Sequence, residues 1–428
     1  MPGRERPPLP TGPWLVVGLA RSGIAAAHAL LARGERVVAV DSGQAASALP
    51  DGLEVHLGTD GLAFLPHARA VVKSPGVPRE APVIAAARER GVPVLGEMEL
   101  GWRLLPNEFI AVTGTNGKTT TVELLGHIHR EAGLPVSVAG NVGTALTALA
   151  GELAADAVVV CEASSFQLED TLRFAPEGAV LLNLESDHLD RHGTLEDYRT
   201  AKLRIFARQG NDDVAVAPFG LPVEDLGGCA RRVPFGPGGA LDDRAGHLWW
   251  GGAPLIAHAE IRLRGAHNRA NAAAAAAIAL ARGIAPDAVR TGLRTFAGVE
   301  HRLEEVARAG EVLFVNDSKA TNVASTLVAL ASFADAPVHL ILGGQGKDQD
   351  FTALRGRAHA IYLIGEDADR IGREAGGQLC GDLATAVGRA RAAARPGEIV
   401  LLSPACASFD QFDDFEARGR AFRALVAG

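Results

Sequence analysis

Residues Phe109 to Thr120 read FIAVTGTNGKTT: a short apolar run, a glycine-rich turn, a lysine and two threonines. A helical pattern follows from about Thr119 to Glu131 and stops at Gly133. Few folds accommodate that order. The apolar run is a buried strand, and a strand that opens a helix through Gly-Lys-Thr is a phosphate loop. Glycines let backbone N–H groups turn toward phosphate oxygens, and the helix N-terminus adds the positive end of its dipole. Gly114, Thr115, Asn116, Gly117, Lys118, Thr119 and Thr120 would line such a loop, with Lys118 reaching the β/γ-phosphates and the Thr119 hydroxyl holding Mg²⁺. The generic pattern has a glycine where this chain has Val112, so it is met only in part; the competing reading is an ordinary Gly-rich turn.

The chain has 428 residues, enough for two or three domains. Its net charge of −8 argues against a nucleic-acid partner. Cys161, Cys229, Cys380 and Cys406 are widely spaced and form no C-x-x-C pair, which suits a reducing cytosol and gives no cysteine zinc site. The apolar run from Trp14 to Ala20 is too short for a signal-peptide core and no segment is long enough to span a membrane, so a cytoplasmic protein is expected. There is no internal repeat.

Before the phosphate loop, Trp14 to Gly18 is a strand and turn, a helix runs to about Arg33, and a second strand ends in Asp41. This resembles a dinucleotide fingerprint with Ala20 at its middle glycine, so the turn serves packing or a different nucleotide. Ala70 to Val77 brings Ser74 and Gly76 to the same sheet edge, and a helix around Glu97 to Leu104 closes the domain. After the loop, strands end at Asn141, Glu162 and Asn183. Glu162 stands where a Mg²⁺-associated carboxylate would lie, or caps a helix. His188 and the carboxylates Glu185, Asp187 and Asp190, directly after a strand, suit a second cation or general-base work. On a helix from about Leu195 to Arg208, Lys202 falls on the apolar stripe with Tyr198, Ile205 and Phe206. It needs an anionic partner, a modification or a snorkelling route. From about Gly210 to Ile261 the chain is strand-like and loop-rich. Asn268 and Asn271, three apart on an Ala-rich helix, share one face that reads a base edge or caps the helix. From Gly298 strands again alternate with Ala-rich helices and end in polar clusters.

These motifs together resemble the Mur ligase family over nearly the whole chain. Shared with the family are the Thr113–Thr119 loop, which there too lacks the first glycine, Glu162, the Asn183…Asp187-His188 segment, His267-Asn268…Asn271 and His301-Arg302. Glu162–Leu168, Asn316–Asn322 and Ser403–Phe412 are similar to its D-glutamate-adding branch. Departures are Ala20 and Arg21 in the first loop and Ala163. The resemblance implies an α/β protein of three domains: Rossmann-like over 1–106, a central P-loop α/β domain over 107–297, and Rossmann-like over 298–428. It implies an ATP-dependent ligase of peptidoglycan precursor synthesis, acting through an acyl phosphate with two Mg²⁺. One ion is expected near Thr119 and Glu162, the other near His188 and a carbamate on Lys202. Asn268, Asn271, Arg302 and Asp317 match nucleotide-binding positions. Gly18, Ser22, Asp41, Ser74, Gly76 and Asn141 match the UDP-sugar side. Thr321, Lys347, Ser408 and Phe415 match the D-glutamate side, and Lys319 a position near the reacting carboxylate. Only small-molecule partners and a monomer are expected. A sibling ligase, a nicotinamide-dependent oxidoreductase and a non-enzymatic P-loop module compete. The third-domain motifs argue against the first, and the second leaves the phosphate loop unexplained.

Overall fold

A computed structural model describes residues 4–45, 49–185, 189–346 and 349–427. The first sheet consists of β1 (Trp14–Val17), β2 (Val37–Asp41), β3 (Glu54–Leu57), β4 (Ala70–Lys73) and β5 (Val94–Gly96), with helices α1 (Arg21–Ala32), α2 (Pro82–Glu89) and α3 (Glu97–Leu104). It is fully parallel in the order β3-β2-β1-β4-β5. Continuous apolar strands such as Trp14–Val17 are what a sheet covered on both faces requires. The strand order reverses between β1 and β4, and ligands of open α/β sheets bind at the carboxyl ends beside such a reversal.

The second sheet holds β6 (Phe109–Thr113), β7 (Val136–Gly140), β8 (Val158–Glu162), β9 (Gly178–Leu181), β10 (Val214–Pro218) and β11 (Arg231–Phe235), continued by β12 (Leu241–Arg244), β13 (His247–Trp250) and β14 (Ala253–Ala257). Its order is β14-β13-β12-β11-β10-β9-β6-β8-β7. The β12–β13 and β13–β14 pairs are antiparallel. The loop-rich Gly210–Ile261 stretch is therefore an extension of the central sheet. Its helices are α4 (Lys118–Glu131), α5 (Ser165–Glu169), α6 (Leu189–His192) and α7 (Leu195–Leu203), then α8 (Ala266–Ala281) and α9 (Pro286–Thr295). One apolar core runs from Met98 and Trp102 of α3 through Phe109, Phe174 and Phe206, joining the two sheets. The junction is also polar. The buried Glu99 carboxylate accepts N–H bonds from Leu172, Arg173 and Phe174 and pairs with Arg103. Buried Lys73 pairs with Asp170 at 2.7 Å.

The third sheet holds β15 (Glu304–Ala309), β16 (Val312–Asn316), β17 (Val338–Gly343), β18 (Ala360–Ile364), β19 (Gln378–Gly381) and β20 (Ile399–Leu402), with helices α10 (Val323–Ala331), α11 (Ala368–Ala375), α12 (Leu383–Ala393) and α13 (Phe415–Ala427). The order is β15-β16-β20-β17-β18-β19, antiparallel only at β15. The chain divides into two compact units, 1–261 with 270–294, and 262–269 with 295–428.

One local reading is corrected. The Lys202 helix ends at Leu203 rather than Arg208, and Ile205 and Phe206 reach the core through turns. Between His301-Arg302 and β16 the structure adds β15, an element the sequence did not show, and its polar sequence EEVARA suits an edge.

Candidate active site

The central sheet places β6 between β8 and β9, so the loops after these strands meet. The N-cap of α4 is Gly117, at φ 85 and without a side-chain cap. A helix N-terminus favours an anion through its N–H groups and the positive end of its dipole, and no side chain caps this one. An added Cβ at Gly117 would lie 2.2 Å from Asn271 Oδ1, so Asn271 of α8 packs against the phosphate loop and only glycine fits. The loop is tethered from the end of β9. Asn183 accepts from the Asn116 N–H through Oδ1 and donates to the Asn116 carbonyl. Thr115 Oγ1 donates to the Glu185 carbonyl and receives the Tyr198 hydroxyl at 3.1 Å. Asn183 and Tyr198 had no assigned role in the sequence, and Glu185, read there only as one of the carboxylates suited to a cation or general-base work, serves here as a tether. The signal was there, since polar residues directly after an apolar strand mark a site edge.

Thr119 Oγ1 donates to Glu162 Oε2 at 2.8 Å, and Asn141 Nδ2 donates to Glu162 Oε1 at 3.0 Å. Glu162 is thus no helix cap but a buried carboxylate held beside the phosphate loop; Asn141, read as a sugar-side residue, is one of its two holders. Burial, and after it the Glu162 charge, raises the Glu123 carboxyl one turn along α4. A hydroxyl hydrogen-bonded to a carboxylate beside the phosphate loop offers hard oxygen donors of the kind Mg²⁺ takes.

Lys118 Nζ donates to the carbonyls of Gly114 and Thr115 at 2.8 and 2.9 Å. Lys202 is 1% exposed, donates to the same Gly114 carbonyl at 2.8 Å and lies 4.5 Å from the Tyr198 ring centroid. The sheet therefore brings two lysines from distant segments onto one carbonyl oxygen. His188 lies outside the described residues.

At the first sheet's reversal, Ser74 Oγ donates to the Gly18 carbonyl at 2.7 Å, joining the ends of β4 and β1. Gly18 has φ 93, and a Cβ at Gly23 would lie 1.8 Å from its carbonyl oxygen, which is why the turn is glycine-rich. Asp41 accepts from the Leu19 and Gly43 N–H groups at 2.6 and 2.7 Å and fixes the same turn. Gly76 has open space above its Cα, and Ser22 is half-buried in the first turn of α1.

In the other unit, Asp317 follows β16 and Ser403 follows β20, and Ser403 Oγ donates to Asp317 Oδ2 at 2.8 Å. Burial pushes the Asp317 carboxyl up to about 7, against the hydrogen bonds from Ser403 and the Leu303 N–H and the charge of Arg302. Lys319 Nζ lies 5.0 Å from the Phe415 ring centroid. Thr321 is half-buried just past this loop, Ser408 is buried, and Asn268 donates to the Arg264 carbonyl. Lys347 lies outside the described residues. Arg418, which the sequence did not single out, is buried and donates to Ser318 Oγ and to the Ser318 and Cys406 carbonyls. It ties the 316–322 loop to the 403–408 loop, and burial lowers its pKa to about 10.

Family models match three successive segments: a Mur ligase MurD-like N-terminal domain over 13–96, a Mur ligase middle domain over 112–226, and a Mur ligase glutamate ligase domain over 301–406. The chain is 46% identical to a UDP-N-acetylmuramoylalanine--D-glutamate ligase of Anaeromyxobacter dehalogenans, covering 96% of each chain. It is 43% identical to the protein of that name from Rubrobacter xylanophilus, covering 97% of this chain and 98% of that one. Among solved structures, UDP-N-acetylmuramate-alanine ligase MurC of Thermotoga maritima shares the fold with a TM-score of 0.61 at 19% identity, covering 97% of this chain and all of that one. MurF ligase of the same organism, in complex with ADP, shares it at 0.59 and 16% identity, covering 91% of this chain and 95% of that one.

Proposed function

The chain belongs to the Mur ligase family, and from that premise we propose that it joins D-glutamate to UDP-N-acetylmuramoyl-L-alanine at the expense of ATP, a step of peptidoglycan precursor synthesis. The three regions 1–106, 107–297 and 298–428 carry the UDP-substrate, the nucleotide and the amino acid respectively. The observation that carries the reading is the convergence of Lys118, Lys202, Thr119 and Glu162 on one phosphate loop.

The chemistry sets a carboxylate against a γ-phosphate, so anion must approach anion and the protein's task is positioning and charge neutralisation. The first-turn N–H groups of α4 hold the β/γ-phosphates. On ATP binding the Lys118 ammonium turns from the Gly114 and Thr115 carbonyls to the phosphates. Thr119 and Glu162 hold one Mg²⁺, with Asn141 fixing the Glu162 carboxylate. Lys202, as a carbamate, and His188 hold a second. When bound, these ions neutralise charge that develops on the transferring phosphoryl group. The substrate carboxylate takes the γ-phosphoryl group and ADP leaves. The acceptor amine then attacks the acyl carbon, and phosphate departs as the amide forms. Lys319 lies on the side of the reacting carboxylate, and Thr321, Lys347, Ser408 and Phe415 on that of D-glutamate. Asn268, Asn271, Arg302 and Asp317 take the nucleotide; Gly18, Ser22, Asp41, Ser74 and Gly76 take the uridine diphosphate. The protein acts as a cytoplasmic monomer; no helix among the described residues is long and apolar enough to cross a membrane.

An unmodified ammonium at Lys202 would repel Mg²⁺, whereas a carbamate reverses its charge and offers oxygens that Mg²⁺ prefers. Lys202→Ala should therefore be folded and nearly inactive, and regain activity with small carboxylic acids at high concentration. Lys202→Arg should stay inactive. Near-normal phosphate release by the arginine variant would contradict the carbamate.

A further inference from the structure

The third sheet carries a cluster that the ligase reading leaves unused, at the end opposite Asp317 and Ser403. His339 is the second residue of β17, His359 immediately precedes β18 and Glu398 immediately precedes β20. Because β17 pairs in parallel with both neighbours, with His339 opposite Ala360 and Val400, the three residues arrive at the same edge. One ligand atom from each lies within 4.8 Å of the others. We propose that His339, His359 and Glu398 form a binding site for a borderline divalent cation of the Zn²⁺ class, distinct from the Mg²⁺ centre.

Three features support it. First, two imidazoles and a carboxylate select late first-row metals over Mg²⁺, and three protein ligands leave a position for water. Second, the spacing is close to that required. His339 Nε2 and Glu398 Oε2 are 2.9 Å apart, against about 3.3 Å between ligands at the usual zinc bond lengths. Third, the supporting shell is in place. Tyr362 Oη lies 3.0 Å from His339 Nδ1 and sets which ring nitrogen faces the carboxylate, and the Arg395 N–H holds Glu398 at 2.8 Å. Hydrogen bonding explains the His339–Glu398 pair but not the second imidazole, whose ring centroid lies 5.3 Å from that of His339. His359 is exposed, which gives an ion a way in and lets its ring turn toward the site. Far from the phosphate loop in sequence and built on three strands, the site is a staple for this sheet, not a source of catalysis.

The test is a zinc competition titration against a chromogenic chelator, on chelator-stripped full-length protein, with excess Mg²⁺ to fill the hard-oxygen sites. One Zn²⁺ per chain is expected, with a zinc-dependent rise in Tm. His359→Ala and Glu398→Gln should each weaken binding at least about tenfold and abolish the Tm rise, as even loss of a supporting residue costs about 10–100-fold. His359→Ala changes an exposed side chain, so its phosphate release should match wild type. No zinc uptake, or full-affinity uptake retained in both variants, overturns the site.

Discussion

At the scale of single residues the site is a problem in charge placement. Lys118 now rests on two loop carbonyls, and its replacement by alanine removes a cation from the transferring phosphate. The expected loss in phosphate-release rate is about 10²–10³-fold, about 3–4 kcal/mol, with an unchanged thermal transition; half the wild-type rate would remove Lys118 from the chemistry. Asp317 carries a different prediction. Its folded-state pKa is raised from 3.8 to about 7 by burial, so the folded form holds a proton that the unfolded chain has released. That stabilisation is complete below the unfolded pKa and is lost as pH rises through about 7. Asp317→Asn should flatten the fall in stability between pH 4 and 7, measured by urea unfolding of both proteins across that range; parallel curves would refute it. The place of Glu162 beside the phosphate loop was legible because a polar residue directly after an apolar strand, here Val158–Cys161, comes to the sheet edge where the loops meet. Lys202 was legible because a lysine breaks an otherwise apolar stripe. Asn183 and Tyr198 were missed as tethers because their partners lie far away in sequence, and only the sheet order brings them to Asn116 and Thr115.

At the scale of elements, two junctions hold the machinery. Glu99 of α3 gathers three backbone N–H groups of the 172–174 loop and the Arg103 guanidinium in a buried site. Glu99→Ala should cost about 3–5 kcal/mol in chemical denaturation, since it leaves these donors buried without their acceptor; a loss under 1 kcal/mol would show the junction to be held by its apolar core alone. Gly117→Ala would force a left-handed residue and drive a Cβ into Asn271. The left-handed conformation alone costs about 1–2 kcal/mol, so kcat/KM for ATP should fall by about tenfold or more while α4 persists by circular dichroism. Strands such as β6 and β8 could be read because both their faces are buried and the sequence is apolar almost throughout. β15 could not, because an edge strand keeps water on one side and its EEVARA sequence has no apolar run. The end of α7 was misplaced because Ile205 and Phe206 continue the helical spacing while the backbone turns into the core.

At the scale of the molecule, three parallel-rich sheets each present polar groups at carboxyl strand ends, and the phosphate loop sits on the middle one. The central claim is that the amino acid joined is D-glutamate. If Ser408, Thr321 and Lys347 take the acceptor as proposed, a substrate that leaves such donors unpaired is rejected by large factors. The direct measurement is phosphate release from Mg²⁺-ATP with UDP-N-acetylmuramoyl-L-alanine and, in turn, D-glutamate, L-glutamate, L-alanine and a diamino acid. Release is expected with D-glutamate, and at background level with the others or when the UDP-substrate is omitted; faster turnover with L-alanine or the diamino acid would contradict the assignment.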